Sequence, residues 1–136
     1  MLVDKMNAAM LKALIEAVPI EITVIDANDE VVGWNQHEKR LFHRPWNSLG
    51  LNFRNCHPQK SLHMVEQIVT EMKAGTRDKA PFWIDMSVPY DATKKHKILI
   101  EFFALRDDTG KYIGCMECTQ DIEGARNLQG EKHLLS

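Results

Sequence analysis

Between Gly50 and Gly75 the chain carries one amphipathic segment that everything else must accommodate. Leu62, Val65, Ile68, Val69 and Met72 recur at three- to four-residue spacing, which predicts one apolar stripe on a helix. Pro58 suits the first turn, where its missing N–H would have no intrahelical partner anyway, and Gly75 suits the stop. Cys56 and His57 stand just ahead, where strand-like and helical sequence meet. A one-faced helix needs an apolar surface to cover. The flanks supply it: helix, strand, strand before; strand, strand, strand, helix after.

In order, residues 5–18 read as a helix with Met6, Met10, Leu11, Leu14, Ile15 and Val18 along one side, ended by Pro19. Residues 20–26 alternate and are β-branched, residues 27–30 carry turn chemistry, and residues 31–35 form a short second strand. Pro45 breaks residues 36–49 into short helical turns. A third strand spans 81–88, followed by a polar connection over 89–97 that holds the basic run Lys94, Lys95, His96 and Lys97, read as a solvated loop. Ile98–Arg106 is the most apolar strand, residues 107–110 a hairpin turn, and residues 111–120 the last strand. Asp121 caps a final helix running from Ile122 towards Leu135. This order predicts an α+β domain, a five-stranded antiparallel sheet with helices covering one face, and any ligand cavity between sheet and long helix. The expected division is an N-terminal flanking helix over 1–19, a core over 20–121, and a C-terminal signalling or linker helix over 122–136.

At 136 residues the chain is one domain, and a net charge of −2 leaves no electrostatic footprint for nucleic acid. No apolar run approaches the ~20 residues that cross a bilayer. No secretory leader pattern opens the chain, and three cysteines fit reduced thiols, so a cytoplasmic location is expected, with no membrane partner. Cys115 and Cys118 have the spacing of zinc or redox pairs, but on a strand they point to opposite faces. Adjacent Cys56 and His57 do not aim a base at a thiol, and neither a nucleophile elbow nor a phosphate-cradling loop occurs. No enzymatic activity is expected.

Several segments together resemble the PAS domain family, in the branch carrying a Cys-His-Pro-Pro-Lys-Ser signature. Here that signature stands as Cys56-His57-Pro58-Gln59-Lys60-Ser61, after Gly50. Phe82-Trp83-Ile84, Phe102 to Gly110, Glu117 to Ile122, Asp26 and Trp34-Asn35 extend the likeness over about residues 10–133. Gln59 departs from the pattern, as does the long connection at 89–97.

The resemblance implies the PAS fold and a sensory or regulatory module that binds a small ligand and relays its state through flanking helices. It also implies a regulatory output domain, fused or separate, such as the hemerythrin-like neighbours of this branch. The ligand is left open, with haem one candidate. In that reading His57 ligates the haem iron and Met86 offers a thioether. Phe82, Trp83, Phe102, Leu62 and Val65 then line the pocket. The other role open to His57 is structural, bonding the helix start with Cys56 as a small buried hydrophobe, and it carries more weight. His37, His43, His96 and His133 are read as solvated. The apolar first helix either packs on its own sheet or forms a dimer face; the expected homodimer gives the alternative function, a cofactor-free interaction module.

Overall fold

The computed structural model describes residues 2–136, so Met1 of the expected N-terminal segment lies outside the described residues. After a short 3-10 turn at Leu2–Lys5, α1 spans Ala8–Ala17. Its N-cap is Asn7, whose Oδ1 accepts from the Met10 N–H at 2.9 Å. Pro19 stops it as expected, with Val18 the last capped residue. The strands are β1 (Glu21–Asp26), β2 (Val31–Trp34), β3 (Lys79–Val88), β4 (Asp91–Arg106) and β5 (Tyr112–Asp121). They form one antiparallel sheet in the order β2-β1-β5-β4-β3.

That order fixes the rest. β2 and β3 lie on opposite edges, so the chain between them must cross a sheet face. The crossing consists of three 3-10 turns and then α2 (Gln59–Lys73). Val65, Val69 and Met72 of the expected stripe are buried, and Leu62 and Ile68 pack partly against the same cluster. Beneath them lie alternate residues of the strands: Ile25, Ile98, Ile100, Phe102 and Cys115. α2 ends at Gly75, φ +79°, whose N–H bonds the Met72 carbonyl while the Thr76 N–H reaches Glu71. This double closure satisfies carbonyls that would otherwise be orphaned, and it needs the left-handed residue that glycine supplies.

The irregular segment after β2 is pinned to β1 by buried polar groups. Asn35 is almost fully buried; its Oδ1 accepts from Ile22 N–H at 2.6 Å, and its Nδ2 donates to the carbonyls of Ile15 and Ile20. Arg40 donates to the carbonyls of Ile22, Asn35 and Phe42 and to Thr23 Oγ1. Glu21, also buried, accepts from the backbone of Leu41 and Phe42. Buried polar atoms need partners, and these find one another in a single cluster that also ties the end of α1 to the sheet.

Two expectations on elements are corrected. Residues 91–97 are not a loop: β3 turns at Pro89-Tyr90, and β4 begins at Asp91 with Val88 opposite it. Of the charges that suggested solvent, Lys94 and Lys95 do stay exposed, but Lys97 finds a cross-strand partner, its Nζ 2.5 Å from Asp85. His96 is correspondingly not solvated, lying between Asp91 (2.7 Å) and Asp121 (2.6 Å). The final helix, α3, is confined to Glu123–Arg126. The N-cap position is Ile122 rather than Asp121, although Asp121, one residue earlier, accepts from the Glu123 N–H at 2.9 Å. Propagation stops because Gly124 and Gly130 disfavour helix and because Leu128, Leu134 and Leu135 have nothing to pack against. No helix among the described residues is long and apolar enough to cross a membrane.

Candidate functional site

α2 does not lie flat on the sheet along its whole length. Towards its N-terminus a cavity of about 590 Å³ opens between helix, β3 and β4. Val65 and Ile68 of α2 face Phe82, Ile84, Ile100 and Phe102 of the strands across it. The Phe82 and Phe102 rings lie nearly parallel, 19° apart with centroids at 6.2 Å, and form one aromatic wall. Exposed Met64, Phe82 and Ile84 mark the rim. A smaller pocket of about 30 Å³, room for one or two waters, lies deeper against Ile25 and Val31.

Both spaces share Arg44, Cys56, His57 and Glu117. Glu117 faces inward from β5, one alternation beyond Cys115. Its Oε1 is 3.2 Å from Arg44 Nη2 and its Oε2 is 3.5 Å from His57 Nε2. All three side chains are at most 17% exposed, so the pairing takes place largely out of water. Burial alone would push the Glu117 carboxyl up, but the His57 hydrogen bond and the Arg44 charge outweigh it and hold the group below its ordinary value. Burial likewise disfavours a charged His57. The Glu117 carboxylate and the Phe53 carbonyl overcome it, so its pKa is raised.

His57 precedes α2 rather than belonging to it. Its Nδ1 is 2.9 Å from the Phe53 carbonyl, which can only accept, so Nδ1 carries the proton. On the other side the Glu117 carboxylate, which can only accept, stands 3.5 Å from Nε2 and favours the doubly protonated ring. Both ring nitrogens of His57 thus already have partners, a carbonyl on one side and a carboxylate on the other. Met86 lies further along β3, opposite His96, and is not in the cavity wall. The residues therefore do not fit a haem: the one histidine is engaged at both nitrogens, and the expected thioether is elsewhere.

Of the other residues expected at the site, Phe82, Phe102 and Val65 line the cavity. Leu62 packs against the core outside it, and Trp83, 63% exposed, has the opposite strand parity to Phe82 and Ile84. Cys115 lies under α2 in the core, while Cys118 has the opposite parity. Burial pushes these thiols up to about 12 and about 11, which leaves them unreactive as nucleophiles. Among the described residues no three His, Cys, Asp or Glu side chains converge to hold a metal ion. His37, read as solvated, instead lies against Trp46, ring centroids 4.4 Å apart and tilted by 31°, and accepts from Trp34 Nε1–H.

Arg44 and Glu117 were not picked out from sequence. In the structure strand parity puts Glu117 on the inward face with Cys115, and nothing in the irregular run around Arg44 carries a sequence signal. Residues 11–123 match the family described as PAS domain. The chain belongs to the PAS domain family.

Solved structures agree on the fold. The PAS domain here is similar to a C-terminal domain from Streptococcus mutans (24% identity, 91% of each chain covered, TM-score 0.78). It is also similar to the PAS domain of BvgS from Bordetella pertussis (18% identity, 84% of this chain and 85% of that one, TM-score 0.60). A third is the phage VqmA–DPO complex, at 18% identity and TM-score 0.58, covering 85% of this chain and 53% of that one. No curated protein matches the sequence.

Proposed function

We propose that this PAS domain is a sensory module whose α2–sheet cavity binds a small organic molecule, and that it reports occupancy through its flanking helices to a regulatory output domain. The observation that carries the reading is the pairing of an apolar cavity of about 590 Å³ with a buried Arg44–Glu117–His57 cluster. Ligand sites usually occupy ~300–1,000 Å³, mostly apolar with a few convergent polar groups. A buried ion pair adds little stability over apolar packing, so its presence beside a cavity favours a binding role. The domain binds rather than catalyses: the one histidine at the site is doubly engaged and the core thiol is buried. VqmA, a protein of the same fold, is described in a complex with DPO.

The test is direct. The purified chain is examined by native mass spectrometry for co-purifying small molecules and screened against a metabolite library by thermal shift. Ala80→Phe, which adds a ring to the cavity wall, serves as the control that circular dichroism shows to be folded. Ligands that stabilise the wild type and not the control support the proposal. A wild type that takes up nothing in either experiment overturns it.

A second reading, a cofactor-free dimerisation module, is favoured by α1, which has no buried residue and leaves Met10, Leu14 and Ile15 exposed. It requires a dimer by light scattering that Met10→Lys with Leu14→Lys converts to monomer. A wild type that is already monomeric removes it.

A further inference from the structure

The polar end of the cavity is chemically lopsided, and this bears on what the cavity takes. Glu117 has both oxygens engaged, one by Arg44 and one by His57, and His57 has both nitrogens engaged. Arg44 is different. Its Nε reaches Thr23 Oγ1 at 3.4 Å and its Nη2 reaches Glu117, while Nη1 bonds nothing among the described residues. A guanidinium has five N–H donors, so Arg44 keeps spare donors at the border of both spaces. The unmet hydrogen-bonding capacity of the cluster is therefore donation.

Charge narrows the choice further. A ligand carboxylate that took the free donors of Arg44 would lie beside Glu117, which is already 3.2 Å from the same guanidinium. A ligand ammonium would instead meet the Arg44 guanidinium, a like charge at the same border. An uncharged acceptor meets neither conflict, and the paired Phe82 and Phe102 rings offer a planar wall to the remainder of the ligand.

We propose that the cavity selects an uncharged, flat, aromatic-sized molecule bearing a hydrogen-bond acceptor, such as a ketone or amide carbonyl or a ring nitrogen, and that Arg44 is the residue that reads the acceptor. This rests on the cavity being a ligand site and adds the chemical class of the ligand.

Three probes of one ring system separate the possibilities: methyl naphthyl ketone, naphthoate and ethylnaphthalene. Binding to the full chain is followed through the labelled methyl groups of Ile68, Ile84 and Ile100, which line the cavity. The ketone is expected to bind at least about ten-fold more tightly than the other two, the discrimination a hydrogen bond to a charged donor supplies. Arg44→Met is expected to abolish the preference for the ketone over ethylnaphthalene. The comparison within the wild type decides the matter even where that variant folds poorly. Naphthoate binding best would make this an anion site and overturn the proposal. Equal binding of ketone and ethylnaphthalene would leave a ligand cavity without acceptor selection, and overturn this inference alone. No methyl shift with any probe would overturn both this inference and the ligand reading beneath it.

Discussion

His96 Nδ1 lies 2.6 Å from Asp121 Oδ2, joining the long β4 strand to the residue that bonds the start of α3. On its other side Nε2 is 2.7 Å from Asp91, at the β3–β4 turn, and Tyr90 donates its hydroxyl proton to the same Asp121 oxygen. The ring is thus clamped by two carboxylates, with the Tyr90 ring edge-on at 5.6 Å. Hydrogen bonds to Asp91 and then Asp121 raise its pKa, against the opposing effect of desolvation. Bonds from Thr93 and His96 hold the Asp91 carboxyl far below its usual range.

The sign of the resulting pH dependence follows. A histidine whose folded pKa is raised contributes stability that is fully present below its unfolded value of about 6.5 and is lost as pH rises through the folded value. His57 is raised too and acts in the same direction. Urea unfolding should therefore show stability falling as pH climbs from the His96 unfolded value upward. His96→Asn should flatten that slope, and the remaining slope should disappear in His96→Asn with His57→Asn. A His96→Asn variant that keeps the full wild-type slope would refute the clamp. Hydrogen-exchange protection factors at residues 122–126, from which the intrinsic rise of exchange with pH is removed, should also fall as pH rises in the wild type and not in His96→Asn, because Asp121 bonds both His96 and the start of α3.

Asn35 carries a second prediction. It joins the carbonyl of Ile15 near the end of α1 to Ile20 and Ile22 at the start of the sheet. Asn35→Ala leaves those buried groups unsatisfied and should cost about 2 kcal/mol in chemical denaturation. The effect should be uneven: amides of residues 8–17 exchange faster, while those of β4 and β5 follow only the global loss. If α1 exchanges as in the wild type, its attachment does not depend on Asn35.

Gly114 gives a third. A Cβ built there would stand 2.4 Å from the Ile25 carbonyl oxygen, a backbone atom that cannot swing aside. Gly114 pairs with Asp26, so the clash pushes β5 away from β1 at the centre of the sheet. Gly114→Ala should lose about 3 kcal/mol, the upper range for overpacking a closed site. Gly33→Ala, where a Cβ meets nothing within 4 Å, is the matched control and should lose about 1 kcal/mol or less. Equal losses in the two variants would mean that the strand spacing is not what constrains Gly114.

How much of this was legible beforehand depends on the range over which the signal acts. The α2 stripe and the alternation of β1 arise from neighbours in sequence, so Val65, Val69, Met72 and Ile25 declared their positions. Residues 91–97 did not, because Thr, Lys and His have no local reason to be extended there. Their strand is imposed by β3, through pairs such as Lys97 with Asp85. The same holds at the cavity. Phe82 and Phe102 were visible as aromatic strand residues, but Trp83 looked equally suitable until parity placed it on the other face. The partner of His57 lies sixty residues away, and no local pattern names Glu117. The C-terminal segment errs in the opposite direction: the residue that bonds its start was legible, but its helix ends where there is no packing partner to extend it.

The engagement of His57 leads to the last prediction. Its Nε2 faces a carboxylate at 3.5 Å and its Nδ1 donates to a carbonyl at 2.9 Å, so iron can reach Nε2 only by displacing Glu117, the group that favours a proton there. Haemin added to the wild type should therefore give a Soret band that is the same in His57→Ala. NMR titration of the imidazole supplies the independent check: the pKa of His57, raised in the wild type, should fall in Glu117→Gln, where the hydrogen bond weakens and the charge is gone. A Soret shift that depends on His57 in the wild type would show that the ring leaves Glu117 for iron, and would restore the haem reading. An unchanged His57 titration in Glu117→Gln would show that the carboxylate is not what holds the proton, and the argument against iron at this ring would lose its physical basis.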